Sequence, residues 1–263
     1  MKTTTGNLHE VKSIIYSHLH FVLGIGRPFG VKVNESNISY NKGFVLDAEE
    51  NKEVEYKSFS SAHPSILPWK IMEKTKKFIC ACLNAGSKGI IYFGVGDNQE
   101  QNSKFLHGEI IGLEVENIKD DITKALQFLL DNHIKSDDGP LQKGGEQNCI
   151  NIHFVPVTCQ GNHANLYVVE IEVSRDWRFC KDNVFHSKSW IEKPGGSKDF
   201  TAKRGLNDLF KVKDTWDDVA IRTKGASTCV KQHEVKRQVR EPLETKYKEW
   251  KREAKLGTWM SLF

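Results

Sequence analysis

Two stretches of sequence decide the fold: EVEYKSF at residues 53–59 and FICACLNAGSKGIIYFGVGD at residues 78–97. The second stretch begins with apolar residues at helical spacing, and Asn84 to Gly86 offer a natural helix end. The short run that follows is β-branched and aromatic and is bounded by glycines, which predicts a buried strand with Asp97 at its exit. The first stretch predicts another strand.

Residues 53–59 alternate between charged and apolar side chains. A period of two divides a strand into two faces. Val54 and Tyr56 lie on one face, and the other face carries Glu53, Glu55, Lys57 and Phe59. The charges indicate that this second face lines a cleft or meets solvent.

The rest of the chain has the pattern of a mixed α+β fold. Helices are predicted over residues 69–84 and 117–131, where apolar side chains recur every three or four positions. HGEIIGLEV at residues 107–115 predicts a partner strand, and residues 135–148 predict a loop. Further strands are predicted in CINIHFVPV, LYVVEIEV, NVFHSKSW and DVAIRT. The order βαββαββββ describes a mixed β-sheet flanked by helices.

We divide the chain into an N-terminal arm at residues 1–45, one domain at residues 46–230 and a basic helical tail at residues 231–263. Pro242 interrupts the tail, which predicts two short helices there rather than one. Tyr247 and Trp250 are available to stack on RNA bases. The alternative is that the tail packs as an amphipathic helix on the domain or on a partner.

The composition is compatible with a polyanionic partner and a reducing compartment. The 263 residues can bury one sizeable core, and the net charge of +4 is far below the excess of a histone-like protein. The six cysteines show no CxxC spacing, which fits free thiols. We find neither the apolar core of a signal peptide nor a membrane-spanning run. We therefore expect no membrane association and a cytoplasmic location, with the nucleus left open.

Four side chains form the candidate chemical site. Glu50 and Glu55 flank the start of one strand, Lys57 shares a face with Glu55, and Asp97 leaves the other strand. If these strands pair, the carboxylates converge. Carboxylates that hold Mg²⁺ or Mn²⁺ can neutralise a phosphodiester, and a lysine beside them can stabilise developing negative charge. A Glu-x-Lys pair is also a common solubilising ion pair, so the spacing alone leaves both interpretations open.

The ordered motifs resemble the AlbA_2-type domain of the Schlafen family, and within it the branch found in sterile-alpha-motif-domain-containing proteins. The resemblance rests on EVEYKSF, FICACLNAGSKGIIYFGVGD and HGEIIGLEV, and it continues in RFCKDNVFHSKSW and VAIRTKGAST. It covers residues 48–230. A single Schlafen AlbA_2-like lobe with a basic helical C-terminal tail is therefore the expected architecture.

The resemblance implies a metal-dependent endoribonuclease that cuts tRNA or rRNA. By motif matching, the catalytic and metal-binding carboxylates of Schlafen nucleases fall on Glu50, Glu55 and Asp97, with Lys57 assisting and Mg²⁺ or Mn²⁺ as the cofactor. Schlafens carry a zinc site made of a His-x-Cys pair and a Cys-Cys pair, which this chain lacks, so no structural zinc is expected. Their nuclease core has two lobes, so either a homodimer supplies the second wall or this single lobe binds without cutting.

Basic side chains are candidate contacts to nucleic acid. The first predicted helix carries a stripe that could follow phosphates, made of Lys70, Lys74, Lys77 and Lys76. The other interpretation of this stripe is a solvated helix face. The resemblance adds Arg222 and Lys224, which lie beside the KGAST turn.

Three classes of function follow from these observations. The first is a metal-dependent endoribonuclease acting on structured RNA such as tRNA, in which His107 is a further candidate acid or base. The second is a non-catalytic module that binds double-stranded DNA or RNA. The third is a regulatory interaction protein derived from an antiviral Schlafen-like ancestor. The sequence shows no dinucleotide fingerprint, P-loop or nucleophile elbow.

Overall fold

A computed structural model of the chain describes residues 39–46, 50–97, 104–159, 162–188, 219–223 and 226–260. Its strands are β1 (Tyr40–Asn41), β2 (Val54–Lys57), β3 (Lys88–Phe93), β4 (Ile134–Ser136), β5 (Gly139–Pro140), β6 (Ile150–Cys159), β7 (Asn162–Ser174), β8 (Phe185–Ser187), β9 (Val219–Thr223) and β10 (Ala226–Val230). Its α-helices are α1 (Leu67–Ala85), α2 (Lys119–Asn132), α3 (Trp177–Cys180) and α4 (Glu241–Met260). The predicted mixed α+β fold is confirmed. The predicted N-terminal arm lies outside the described residues as far as residue 38.

A five-stranded mixed sheet with the order β1-β6-β7-β3-β2 forms the centre of the fold. Strand β2 runs parallel to β3, with Glu55 opposite Ile91 and Lys57 opposite Phe93. Both β3 and β6 pair antiparallel with β7. Because parallel neighbours end at the same edge of a sheet, the segments that leave β2 and β3 lie close together. The candidate carboxylates belong to this edge.

Helix α1 confirms the predicted helix and extends it by two residues at its start and one at its end. Pro68 lies in the first turn, where a missing backbone N–H costs nothing. Gly86 ends the helix in a left-handed conformation with φ of 61°, and its amide donates to the carbonyls of Cys82 and Leu83. The side chains along its buried face include Ile71, Phe78, Ile79 and Leu83.

The largest hydrophobic core lies between the helices and one face of the sheet. Helices α1 and α2 pack there on alternate strand residues, which are Ile91, Phe93, Val169, Ile171 and Val173. The opposite face of the sheet carries a smaller cluster formed by Val54, Tyr56, Val95, Ile110, Val157 and Val168. The predicted split of β2 into a buried apolar face and a half-buried charged face is therefore confirmed.

Two local predictions are wrong. Residues 107–115 form no continuous strand, because Gly108 and Gly112 adopt φ of 78° and 76° and turn the backbone. This segment instead makes isolated bridges, between Glu109 and Val45, Ile110 and Val95, and Leu113 and Tyr167. The loop predicted over residues 135–148 contains β5 and a 3₁₀ turn, and strands β5, β4 and β8 form a small sheet.

The tail packs on the domain through its helical face. Val235, Val239 and Leu243 join a third apolar cluster with Val219 of β9, Val230 of β10 and Val184, which directly precedes β8. The prediction of two short helices is wrong, because a π-helical turn at Lys236–Arg240 leads directly into α4. Pro242 is the second residue of α4, where the change in hydrogen-bond spacing accommodates its missing amide. No helix among the described residues is long and apolar enough to span a bilayer.

Candidate metal centre

The three predicted carboxylates surround the ammonium of Lys57. Its Nζ lies 2.7 Å from Asp97 Oδ2, 3.6 Å from Glu55 Oε1 and 3.9 Å from Glu50 Oε1. Asp97 is only 3% exposed, and the other three side chains are half-buried. The structure thus brings together Glu50, Glu55, Lys57 and Asp97 at the edge where β2 and β3 end.

The loop before β2 positions Glu50. The side chain of Asn51 accepts hydrogen bonds from the amides of Glu53 and Val54, which closes a tight turn. Glu50 then turns back toward the strand, and its Oε1 accepts a hydrogen bond of 2.8 Å from the Tyr56 amide. Burial raises the pKa of the Glu50 carboxyl above its ordinary value, although the Tyr56 hydrogen bond and the charge of Lys57 oppose this shift.

His107 joins the same pocket from a turn that pairs with the segment after β3. The Gly108 amide donates to the Gly96 carbonyl at 2.9 Å, and the Gly96 amide donates to the Glu109 carbonyl at 2.8 Å. The imidazole meets the Tyr56 ring edge-on, with ring centroids 5.4 Å apart. One donor atom each from Glu50, Asp97 and His107 lies within 4.8 Å of the other two.

Two carboxylates and an imidazole at this spacing fit a single divalent cation. Glu50, Asp97 and His107 are the only group of three or more potential ligands this close together within the part of the chain that the structure describes. From the sequence, His107 was a candidate acid or base and not a candidate metal ligand. The only local sequence feature that marked His107 was the glycine that follows it, beside the predicted cleft. Its proximity to Asp97 could not be predicted, because it depends on how the turn that carries His107 folds against Gly96.

Arg222 holds Glu55 on the side of the pocket that faces α1. The Arg222 guanidinium donates to Glu55 Oε2 and to the carbonyls of Asn51, Lys52 and Val54, and it also contacts Ser227 Oγ. It lies over the Phe78 ring, 4.9 Å from its centroid. The Arg222 side chain is 0% exposed. The contact of Arg222 with nucleic acid stays a prediction, and in this structure the Arg222 donors already have partners within the protein.

The lysines predicted on α1 differ in their surroundings. Lys74 and Lys77 are exposed, and Lys70 is half-buried with its Nζ 5.4 Å from the centre of the Phe59 ring. Lys76 is only 5% exposed and donates to the Lys188 carbonyl at 2.7 Å, so its place in the exposed stripe is wrong. Lys224 lies outside the described residues.

Two further predictions concern the cysteines and the tail aromatics. The Sγ atoms of Cys149 and Cys180 lie 3.4 Å apart and are both buried, and the expectation of no structural zinc stays a prediction. Tyr247 stacks on Trp250 with centroids 5.8 Å apart and on Trp177 with centroids 6.3 Å apart. These rings therefore stack on one another, as expected if the tail packs on the domain.

A comparison with protein families matches the Schlafen, AlbA_2 model to residues 50–200, which include Glu50, Glu55, Asp97 and His107. The chain belongs to the Schlafen AlbA_2 family. This Schlafen AlbA_2 chain is also similar to the Sterile alpha motif domain-containing protein 9-like of Mus musculus, with 27% identity over 137 residues. The similarity covers 50% of this chain and 8% of the mouse protein. Membership of the Schlafen AlbA_2 family supports a nucleic-acid-related function.

Proposed function

We propose that this Schlafen AlbA_2 chain is a metal-dependent endoribonuclease that acts on structured RNA such as tRNA. The observation that supports the proposal is the convergence of Glu50, Glu55 and Asp97 within 4 Å of one ammonium at the end of β2. These carboxylates come from separate parts of the chain. Acidic groups that share a buried pocket repel one another, so such a cluster is unfavourable unless cations balance it.

The residues of the pocket have different proposed roles. Glu50 and Asp97 are the carboxylates that would hold Mg²⁺ or Mn²⁺, and the bound ion would neutralise negative charge on the phosphate and on the leaving oxygen. Lys57 places a fixed positive charge beside the same position, where it can stabilise the negative charge that develops on an RNA oxygen. Glu55 orients Lys57 from the other side, and Arg222 holds Glu55 in place.

Exposed lysines on α1 are the proposed contacts to the RNA backbone. Lys74 and Lys77 lie one turn apart on its exposed side. Lys70, one turn earlier, covers the ring of Phe59, which follows β2 by two residues. Lys70 therefore lies close to the segment that leaves β2. A second copy of the chain as the opposite wall of the cleft stays a prediction.

A cleavage assay tests the proposal. Purified protein is incubated with labelled tRNA and Mn²⁺, and the Asp97→Asn and Glu50→Gln variants are compared with Asp120→Asn, which removes an exposed carboxylate on α2. We expect cleavage by the wild type and by Asp120→Asn, its loss in the two pocket variants, and its loss in EDTA. Equal product from Asp97→Asn and wild type would show that the cleavage comes from elsewhere.

The second candidate function is binding of double-stranded DNA or RNA without cleavage. The ion pairs of Lys57 with Asp97 and of Arg222 with Glu55 favour it, because they neutralise two of the three carboxylates with the protein's own charges. Binding that weakens with salt, survives Asp97→Asn and yields no product with any divalent metal would support this function over the first.

A further inference from the structure

Glu55 already has a buried charged partner in this structure. Glu55 Oε2 is engaged by Arg222, whose side chain is completely buried, and Glu55 Oε1 faces Lys57 at 3.6 Å. Through Oε2, Glu55 could bind a cation only by leaving a buried guanidinium without its counter-charge, which is strongly unfavourable. Glu55 is also absent from the group of potential ligands whose atoms lie within 4.8 Å of one another. Asp97 Oδ2 and Glu50 Oε1 also face the Lys57 ammonium, at 2.7 Å and 3.9 Å, but among the described interactions neither carboxylate contacts Arg222.

His107, unlike Glu55, belongs to the group of potential ligands that includes Glu50 and Asp97. Its donor nitrogen lies within 4.8 Å of oxygens of both Glu50 and Asp97. The turn that carries it is fixed by the Leu106 amide, which donates to Glu109 Oε2 at 2.8 Å, and by the backbone pairing of Gly108 with Gly96. The edge of the Tyr56 ring orients the imidazole. A ligand held by its backbone and by a neighbouring ring needs little reorganisation to bind a metal.

We propose that His107 is the third protein ligand of the metal centre, together with Glu50 and Asp97, and that its imidazole makes the centre prefer Mn²⁺ to Mg²⁺. Mg²⁺ favours oxygen ligands and loses its water reluctantly, whereas imidazole nitrogen binds first-row transition metals better. The inference rests on the proposed function only in assuming that a divalent cation binds in this pocket. It makes Glu55 a positioning residue that acts through Lys57.

Pulsed electron paramagnetic resonance tests the bond directly. The full chain is loaded with one equivalent of Mn²⁺ without RNA, and electron spin echo modulation is recorded for the wild type, His107→Gln and His233→Gln, an exposed histidine far along the chain. We expect modulation from a directly bound ¹⁴N in the wild type and in His233→Gln, and its loss in His107→Gln. Bound Mn²⁺ without nitrogen modulation in the wild type would overturn the proposal.

Calorimetric titration measures the preference of the metal centre for Mn²⁺ over Mg²⁺. We expect the wild type to bind Mn²⁺ at least about tenfold more tightly than Mg²⁺, and His107→Gln to lose about tenfold or more in Mn²⁺ affinity with a smaller change for Mg²⁺. His107→Asp supplies oxygen in place of nitrogen, so it should still bind Mn²⁺ without nitrogen modulation and should gain affinity for Mg²⁺. An unchanged Mn²⁺ to Mg²⁺ ratio in both variants would contradict the inference.

The outcomes separate this inference from the proposed function. Nitrogen modulation without any tRNA cleavage would support His107 as a ligand and would contradict the nuclease. Cleavage that requires Asp97, combined with Mn²⁺ binding that shows no nitrogen modulation, would support the nuclease and overturn the role of His107. Circular dichroism of each variant checks that the fold is intact, and His107→Asp provides a second test if His107→Gln does not fold.

Discussion

Replacing Arg222 by Met should destabilise the domain far more than it weakens RNA binding. The change removes a guanidinium that is completely buried and leaves the Glu55 carboxylate, only 13% exposed, without its closest counter-charge, so that Lys57 at 3.6 Å is its remaining ion pair. It also removes donors from the carbonyls of Asn51, Lys52 and Val54, which form the turn before β2. Met retains the apolar contact with the Phe78 ring, so the loss is mainly polar.

The expected loss in the free energy of unfolding is about 3–5 kcal/mol, the usual cost of breaking one partner of a buried ion pair. That is a large part of the roughly 5–15 kcal/mol that stabilises a domain. Urea denaturation followed by circular dichroism measures it. The double variant Arg222→Met/Glu55→Gln should recover part of the loss, because the carboxylate that lost its closest counter-charge is then absent, while the three backbone carbonyls still lack their donors.

Arg237→Met is the matched control. Arg237 is 75% exposed and pairs with Glu234 at 3.5 Å on one helical turn, so its loss should cost less than about 0.5 kcal/mol. The reasoning would be refuted if Arg222→Met unfolded at the wild-type urea concentration and bound tRNA much more weakly. That result would return Arg222 to the nucleic-acid interface.

Three further predictions concern the surface, the pH dependence and the backbone of the pocket. The double variant Lys74→Gln/Lys77→Gln should reduce the slope of log K for tRNA binding against log salt by roughly two, without changing stability. The exposed control Lys143→Gln should change neither the slope nor the stability. An unchanged slope for the double variant in filter binding would contradict the role of these lysines. Burial lowers the pKa of His133 to about 4, and since the unfolded chain binds this proton near pH 6.5, stability should fall as the pH drops through this window. His133→Leu should remove about 1–2 kcal/mol of the loss between pH 7 and pH 5 in urea titrations, and an identical pH slope would count against it. Gly96→Ala should cost about 1–3 kcal/mol and weaken Mn²⁺ binding, because its Cβ would overlap the Leu106 carbonyl oxygen beside His107; Gly144→Ala, whose Cβ meets nothing within 4 Å, should leave Mn²⁺ affinity unchanged.

Local patterns predicted the elements that carry the carboxylates. Helix α1 follows from its apolar spacing and from Gly86, and strands β2 and β3 follow from their alternating and β-branched runs. Their positions were predicted to within a few residues because glycine, proline and periodicity act over short stretches of chain. The pairing of β2 and β3 then brings Glu55 close to Asp97, and the Asn51 turn before β2 adds Glu50.

Contacts between segments that are distant in sequence could not be predicted from local patterns. Arg222 matched a basic motif, but its burial depends on β9 packing over α1. A helical wheel places Lys76 on the exposed side of α1, but in the folded protein the chain at Lys188 covers it. The place of His107 depends on two glycines, Gly96 and Gly108, whose amides pair the turn with the end of β3. A helical or strand period carries no information about such contacts.

The pocket also shows why identical residue types perform different tasks. Three carboxylates lie around Lys57, and burial raises the pKa of the Glu50 carboxyl above its ordinary value. Glu55 has a buried arginine as its partner, and Asp97 has the closest contact with Lys57. The three carboxylates therefore differ in their cationic partners. This difference separates the candidate metal ligands Glu50 and Asp97 from Glu55, which is a positioning residue.

Anomalous diffraction from crystals grown with Mn²⁺ tests the pocket most directly. We predict an anomalous peak within bonding distance of carboxylate oxygens from Glu50 and Asp97, with Lys57 beside it. If saturating Mn²⁺ gave no peak there, and Asp97 remained paired with Lys57 alone, these acidic side chains would be a structural ion-pair cluster and the metal-dependent mechanism would be wrong.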